Sequence, residues 1–292
     1  MLEECAVVCF GNRAAAVGQL DPGVGEIGES QRGMQTQNAY TSNGRLHMAY
    51  DFDFLSTVYP SGGRIRQVLE RFDRIVTEGW ACWAFSNHDV VRHATRFDLN
   101  VAQRKLYAAS LMTLKGTICL YQGEELGFTE AYVGFEALQD PYGKRFWPKF
   151  KGRDGCRTPI AWNRDANGGF SDVRPWLPVA LEHIESSASH QEGDPGSVLT
   201  FYRAFIAFRK GHTALAKGDL TVLEADDERL VFTRTHGDGT VWVAFNLTSQ
   251  DMTVALPSGD WSLLDTAPFT HTDDGTGVIL PAWQGAFATP RH

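Results

Sequence analysis

A chain of 292 residues exceeds the usual size of one compact domain, and 43% apolar residues is ample for a core. The net charge of −8 and pI near 5.6, without a basic cluster, argue against nucleic acid or an anionic membrane as partner, because phosphate recognition needs concentrated Lys and Arg. A small neutral or cationic ligand is the expected partner, and no metal or cofactor is expected.

The five cysteines, Cys5, Cys9, Cys82, Cys119 and Cys156, are odd in number, scattered and mostly set in apolar runs, which fits reduced core thiols in a cytoplasmic protein. The amino terminus has no basic region before an apolar stretch, and no run approaches eighteen apolar residues, so neither secretion nor membrane insertion is indicated.

In chain order, residues 1–20 show no clean period. Val24-Gly25-Glu26 reads as a short strand closed by a carboxylate, followed by a polar loop from Gly28 to Gly44. Arg45–Tyr50 reads as a second strand running into Asp51-Phe52-Asp53-Phe54. Over residues 62–78, Ile65, Val68, Leu69, Phe72, Ile75 and Val76 recur three and four apart, which predicts an amphipathic helix.

Trp83-Ala84-Phe85-Ser86-Asn87-His88-Asp89 is an apolar, strand-like run ending in polar, chemically able residues, the place where α/β sheets hold ligands. A helix is predicted from about Val101 to Leu114, with Gly116 as its terminator, and Thr117–Tyr121 as another buried strand ending in Gln122-Gly123-Glu124-Glu125. Alternating strands and helices indicate parallel sheet construction. Residues 127–180 form a long loop rich in Gly, Pro and aromatics, whose Trp147, Trp162 and Trp176 are assigned to packing. After a helix at about Val198–Lys210, short segments at 220–223, 230–235, 241–246, 252–256 and 278–280 predict a small antiparallel β domain.

Four of these stretches carry a family resemblance. Phe85-Ser86-Asn87-His88-Asp89 resembles the fourth signature region of the α-amylase superfamily of glycoside hydrolases, and Val24-Gly25-Glu26 its third. Leu114–Gly127 resembles the eighth-strand segment, and Gly152-Arg153-Asp154-Gly155-Cys156-Arg157-Thr158-Pro159-Ile160-Ala161-Trp162 a segment typical of the α-glucosidase and oligo-1,6-glucosidase branch. The resemblance implies an α/β fold: the second half, strands five to eight, of a (β/α)8 TIM-type barrel over residues 1–214, then a small antiparallel β-sandwich domain over 215–292.

It also implies retaining hydrolysis of α-linked glucosides such as maltose, short oligosaccharides or sucrose by two carboxyl groups. Glu26 matches the acid/base and Asp89 the third carboxylate, which stabilises the oxocarbenium-like transition state. His88 matches a donor to sugar hydroxyls, Arg157 and less closely Arg153 would fix the non-reducing end of glucose, and Phe52 is a candidate sugar platform. On this reading Glu26 and Asp89 converge across one pocket. Glu124 and Glu125 are assigned to anchoring loops, and Arg157 has a structural alternative, pairing with Asp154 or Glu124.

The superfamily's nucleophile, an Asp in a Gly-x-Arg-x-Asp segment, has no counterpart; residues 1–23 offer only Asp21, in a turn-like Leu-Asp-Pro-Gly context. The expectation is a carboxyl-terminal portion with negligible turnover alone, whose open strand edges would pair with a missing amino-terminal half of the barrel. The alternative is a non-catalytic scaffold on the same fold, disfavoured by Glu26, His88 and Asp89.

Overall fold

The structure is a computed structural model that describes residues 26–273, 275 and 277–291, with side chains from residue 33 onward. Residues 1–25, with Cys5, Cys9, Asp21 and the Val24-Gly25 part of the first strand candidate, lie outside the described residues.

Glu26 opens helix α1 (Glu26–Thr41), which corrects both the strand ending at Glu26 and the polar loop from Gly28 to Gly44. The physical reason is a buried stripe that is largely polar: Met34, Gln37 and Thr41 lie three and four apart on one face. Gln37 Nε2 donates to Tyr50 O at 2.7 Å and Asp51 Oδ2 at 3.0 Å, and Thr41 Oγ1 to Glu78 O at 2.6 Å. Hydrogen bonding thus does along α1 what apolar burial does elsewhere. Gly79, at φ +91°, is required where α1 meets the next turn, since a Cβ there would come within 2.4 Å of the Thr41 side chain.

The chain then alternates strand and helix: β1 (Met48–Tyr50), α2 (Gly62–Ile75), β2 (Trp80–Trp83), α3 (Val101–Thr113) and β3 (Thr117–Ile118). These three strands form a parallel sheet in the order β1-β2-β3, with Met48 opposite Trp80 and Cys82 opposite Thr117. The predicted strand from Trp83 is displaced: β2 ends at Trp83, and Ala84 and Phe85 continue buried into the loop. Helix α2 starts at Ser61, whose hydroxyl accepts from Arg64 N, and it buries Ile65, Val68 and Leu69. Asn100 and Gln103 form a capping box on α3. Trp83 sits at the centre of this layer, fully buried, its Nε1 donating to Lys115 O at 2.7 Å. Gly116, at φ +137°, is obligatory because a Cβ would meet that indole at 2.6 Å.

After the long loop, α4 (Val198–Gly211) buries Phe201, Tyr202, Phe205 and Phe208, and α4 packs against α3. The remaining chain is antiparallel. One sheet has the order β4-β5-β6-β11-β8, from β4 (Asp219–Ala225), β5 (Arg229–His236), β6 (Gly239–Asn246), β8 (Trp261–Leu263) and β11 (Gly285–Pro290). The other has the order β7-β10-β9, from β7 (Met252–Val254), β9 (Thr272–Asp273) and β10 (Val278–Leu280). Strands β8, β9 and β11 were not anticipated; β8 and β9 are short, and β11 is Gly-Ala-Phe-Ala-Thr-Pro, poor in β-branched residues. The fold is part of a (β/α)8 barrel followed by an antiparallel sandwich, and one apolar cluster runs from Met34 through Phe205 and Phe245 to Phe287.

Two buried charges fasten this assembly. Arg234 of β5 is fully buried and donates to Thr113 O, at the end of α3, and to Gly218 O at 2.7 Å. Burial, reinforced by Arg209, pushes its guanidinium down to about 9. Asp51, just past β1, is buried against Gln37 and accepts from Asp53 N at 2.9 Å, while Asp53 pairs with Arg64 and Arg71 of α2. Desolvation, then the neighbouring Asp53 charge, pushes Asp51 up to about 7.

Replacing Arg234→Met leaves two buried carbonyls unpaired and lowers unfolding free energy by about 2–3 kcal/mol, measured by urea titration; an unchanged midpoint contradicts the clamp. The raised Asp51 carboxyl favours the protonated form when folded, so its stabilisation is complete below the ordinary value of 3.8 and is lost as pH rises through about 7. Asp51→Asn does not titrate, so its stability relative to the unmodified chain should improve between pH 4 and 8, by on the order of 4 kcal/mol. A stability difference independent of pH would contradict this.

Candidate active site

Past β2, the backbone is turned by polar side chains acting on their own loop. Ser86 Oγ accepts from His93 N at 2.8 Å and lies 2.9 Å from His93 Nδ1, fixing the loop from within. Asn87 Oδ1 accepts from Asp89 N at 2.8 Å, a local turn that brings His88 and Asp89 to the rim at the carboxyl end of the sheet. His88 has a side chain 59% exposed and Asp89 one 21% exposed, with His88 Nε2 3.4 Å from Asp89 Oδ2. Arg96 donates to Phe85 O at 2.6 Å and Phe54 O at 3.0 Å, so one guanidinium sets the tips of β1 and β2 against each other. Burial brings Arg96 down to about 10, offset in part by Glu124 and Glu130.

The other oxygen of Asp89 is taken by two arginines from the long loop. Arg153 Nη1 donates to Asp89 Oδ1 at 2.8 Å and Arg157 Nη2 donates to the same atom at 3.1 Å. Arg157 Nε also donates to His88 O at 2.7 Å. Arg153 reaches back to Asp140, Nε to Oδ2 at 3.0 Å and Nη2 to Oδ1 at 3.3 Å, and that bonding chiefly raises its own pKa. Beneath them, buried Asp154 accepts from Gln139 N at 2.6 Å and Asp140 N at 2.8 Å.

Arg92 braces this arrangement from inside. It is almost wholly buried, donates to Gln122 O at 2.6 Å and Cys156 O at 3.0 Å, and lies 5.2 Å from the Tyr121 ring centroid. Tyr121 OH donates to the same Cys156 carbonyl at 3.0 Å. The residue before Arg157 is therefore fixed from two sides.

Of the residues singled out from the sequence, His88, Asp89 and Arg157 meet at one point. Arg157 pairs with neither Asp154 nor Glu124. Phe52 lies half-buried past the tip of β1, its ring 5.3 Å from that of Tyr50. The side chain of Glu26 lies outside the described side chains, so its convergence with Asp89 does too. Glu125 Oε2 accepts from Gly123 N at 2.8 Å, a loop-anchoring bond, and burial raises its pKa.

The sequence reading passed over the bracing roles of Arg92, Arg96 and Asp140, each defined by partners distant in the chain. It also placed the tryptophans too simply. Trp147 packs against Val133, Leu138 and Leu177, whereas Trp162 is 50% and Trp176 70% exposed. Exposed Lys144, Arg145, Lys149 and Lys151 form a local basic run that overall composition conceals. Among the described residues no cluster of three His, Cys, Asp or Glu is placed to hold a metal ion, and no helix is long and apolar enough to cross a membrane.

Residues 14–218 match the alpha amylase catalytic domain. The chain is 48% identical over 270 residues to a probable alpha-glucosidase of Rhizobium meliloti (strain 1021), covering 91% of this chain and 49% of that protein. It is 30% identical over 241 residues to probable oligo-1,6-glucosidase 2 of Bacillus subtilis (strain 168), covering 71% and 43%. Among solved structures, the alpha-glucosyl transfer enzyme XgtA superposes with a TM-score of 0.83 at 44% identity, covering 88% of this chain and 49% of that one. The trehalulose synthase MutB of Pseudomonas mesoacidophila MX-45 gives 0.73 at 25% identity, covering 88% and 53%. The chain thus spans about half the length of the relatives it matches. With the match extending over most of its length, the chain belongs to the alpha-amylase catalytic-domain family.

Proposed function

We propose that the chain forms part of a retaining α-glucosidase-type glycoside hydrolase that grips the terminal glucose of a small α-glucoside. The observation that carries this reading is the convergence of Arg153 and Arg157 on Asp89 Oδ1, with His88 beside Oδ2, at the carboxyl end of a parallel sheet. Two guanidiniums hold the carboxylate in one orientation before any ligand arrives, so little ordering cost remains at binding. Asp89 accepts from sugar hydroxyls, and its negative charge favours the oxocarbenium-like transition state. His88, with its exposed side chain, donates to hydroxyls of the same ring. Arg157 donates at the non-reducing end, and Phe52 offers an aromatic face to a neighbouring ring.

In the reaction this assigns, Glu26 in its protonated form donates to the glycosidic oxygen as the anomeric carbon is attacked from the opposite face by a carboxylate. Water or an alcohol then attacks the anomeric carbon, the bond to the attacking carboxylate breaks, and Glu26, left as a carboxylate by the first step, takes the acceptor's proton. The relatives named as alpha-glucosidase and oligo-1,6-glucosidase support the substrate class, and the transfer enzyme supports an alcohol as alternative acceptor. None of the 292 residues lies in a Gly-x-Arg-x-Asp segment, so we assign the attacking carboxylate to an amino-terminal half of the barrel acting as partner. We place the division between barrel portion and β-sandwich at 214/215. With Cys82 and Cys156 buried in the core, the cytoplasm is the compartment we propose.

Calorimetric titration with an aryl α-glucoside should show binding by the purified chain, with negligible release of the phenol. Asp89→Asn, which keeps the shape but removes the charge, should weaken that binding about tenfold, equivalent to about 1.4 kcal/mol. Affinity that ignores Asp89→Asn would refute the assignment of Asp89, and turnover matching that of a complete enzyme would refute the assignment of the nucleophile to another segment.

A further inference from the structure

The long loop also carries a surface whose chemistry differs from that at Asp89. Residues 141–152 hold Lys144, Arg145, Lys149 and Lys151 and no carboxylate, and all four cations are exposed. The acids that flank this run are turned inward: Asp140 is buried against Arg153, and buried Asp154 accepts from the backbone at Gln139 and Asp140. Even with exposed Glu136 counted in, cations outnumber acids across residues 132–152. The acidic balance that argues against an anionic partner for the chain as a whole is therefore reversed over this surface.

Large apolar side chains are interleaved with these cations. Tyr132, Phe135, Tyr142, Phe146 and Phe150 are each between 43% and 67% exposed. Contacts tie them into one patch: Lys151 Nζ lies 5.0 Å from the Tyr132 ring centroid, the Arg145 guanidinium lies 5.3 Å from that of Phe146, and Tyr142 and Phe146 stack at 6.3 Å. The short helix Pro141–Phe146 runs so close to the segment after it that a Cβ at Gly143 would meet Lys151 O at 2.8 Å. Exposed aromatics mark interfaces of many kinds, and the cations over them narrow the choice. A nucleic-acid strand needs free ring faces on which its bases can stack. One face of Tyr132 and one of Phe146 is taken by a cation, and Tyr142 and Phe146 cover each other. Among lipid headgroups an aromatic ring needs only an apolar outline, and a lysine or arginine stem can lie along it with the charge in water.

We infer that residues 132–151 form a docking surface for an anionic lipid bilayer. Phe146 and Phe150 enter the headgroup boundary, while Lys144, Arg145, Lys149 and Lys151 pair with lipid phosphates. The net charge of −8 opposes approach, so the local cations and the aromatic insertion are both required, and salt weakens the contact. The inference does not rest on the α-glucoside reading.

Flotation of the purified full chain with phosphatidylcholine vesicles, prepared with and without phosphatidylglycerol, tests it. The chain should float with the anionic vesicles at low salt, stay behind with the neutral ones, and dissociate as sodium chloride is raised. Lys144→Glu with Lys149→Glu should weaken association about tenfold. Phe146→Ser with Phe150→Ser should weaken it about fivefold. All four positions are exposed, so both variants should keep the melting temperature of the unmodified chain. If charge reversal disturbs folding, the milder pair Lys144→Gln with Lys149→Gln should still weaken association. The inference is overturned if the unmodified chain does not float with anionic vesicles, if it floats equally with neutral ones, or if either the charge or the aromatic variant floats as well as the unmodified chain. Tighter binding of a fluorescent oligothymidylate than of the vesicles would also overturn it, in favour of nucleic acid. Aryl α-glucoside binding should be the same in these variants as in the unmodified chain, so failure of the α-glucoside reading shows with Asp89→Asn and not here.

Discussion

A single carboxylate oxygen, Asp89 Oδ1, is where lengths of chain 64 and 68 residues apart are brought into register, through Arg153 and Arg157. The charges balance locally: Arg153 divides itself between Asp89 and Asp140, and Arg157 between Asp89 and the His88 carbonyl. Partly desolvated ion pairs of this kind stabilise only if their remaining hydrogen-bond capacity is met. Here Asp140 also accepts from Arg153 N at 2.9 Å, and Asp154 holds the backbone at Gln139 and Asp140. Removing the Asp89 charge would therefore cost each guanidinium one of its two anchors, leaving Arg153 on Asp140 and Arg157 on the His88 carbonyl.

The scaffold behind this point relies on the same device, a buried polar group reaching across to a distant backbone. Arg92 holds the carbonyls of Gln122 and Cys156, Arg96 those of Phe54 and Phe85, and Arg234 those of Thr113 and Gly218. Apolar packing around Trp83, Phe205 and Phe287 supplies most of the driving force for collapse, while these arginines determine which strand tips and loops end up adjacent. Orientation of the candidate site therefore rests on side chains set behind it, at Arg92, Arg96 and Arg234.

Much of this was legible in the sequence, for identifiable reasons. Helices α2 and α4 announced themselves through three- and four-residue apolar spacing, and the apolar run closing on Asn87-His88-Asp89 marked the loop past the tip of β2 where the candidate site residues meet. The resemblance of four segments to the α-amylase superfamily agrees with the match over residues 14–218. Helix α1 was missed because Gln37 and Thr41 are buried through hydrogen bonds, which hydropathy does not register. Strands β8 and β9 are too short, and β11 too poor in β-branched residues, to show a period. Arg153 and Asp140 carried no local sign of their pairing, since only the folded loop brings them together.

The most direct measurement of the central claim is a crystal structure of the chain soaked with glucose. The account predicts a pyranose at the carboxyl end of β2, within hydrogen-bond distance of Asp89 Oδ2 and the His88 imidazole, while Arg153 and Arg157 keep their hold on Oδ1. A sugar seated away from Asp89, or the two arginines parted from that carboxylate in the bound state, would contradict it.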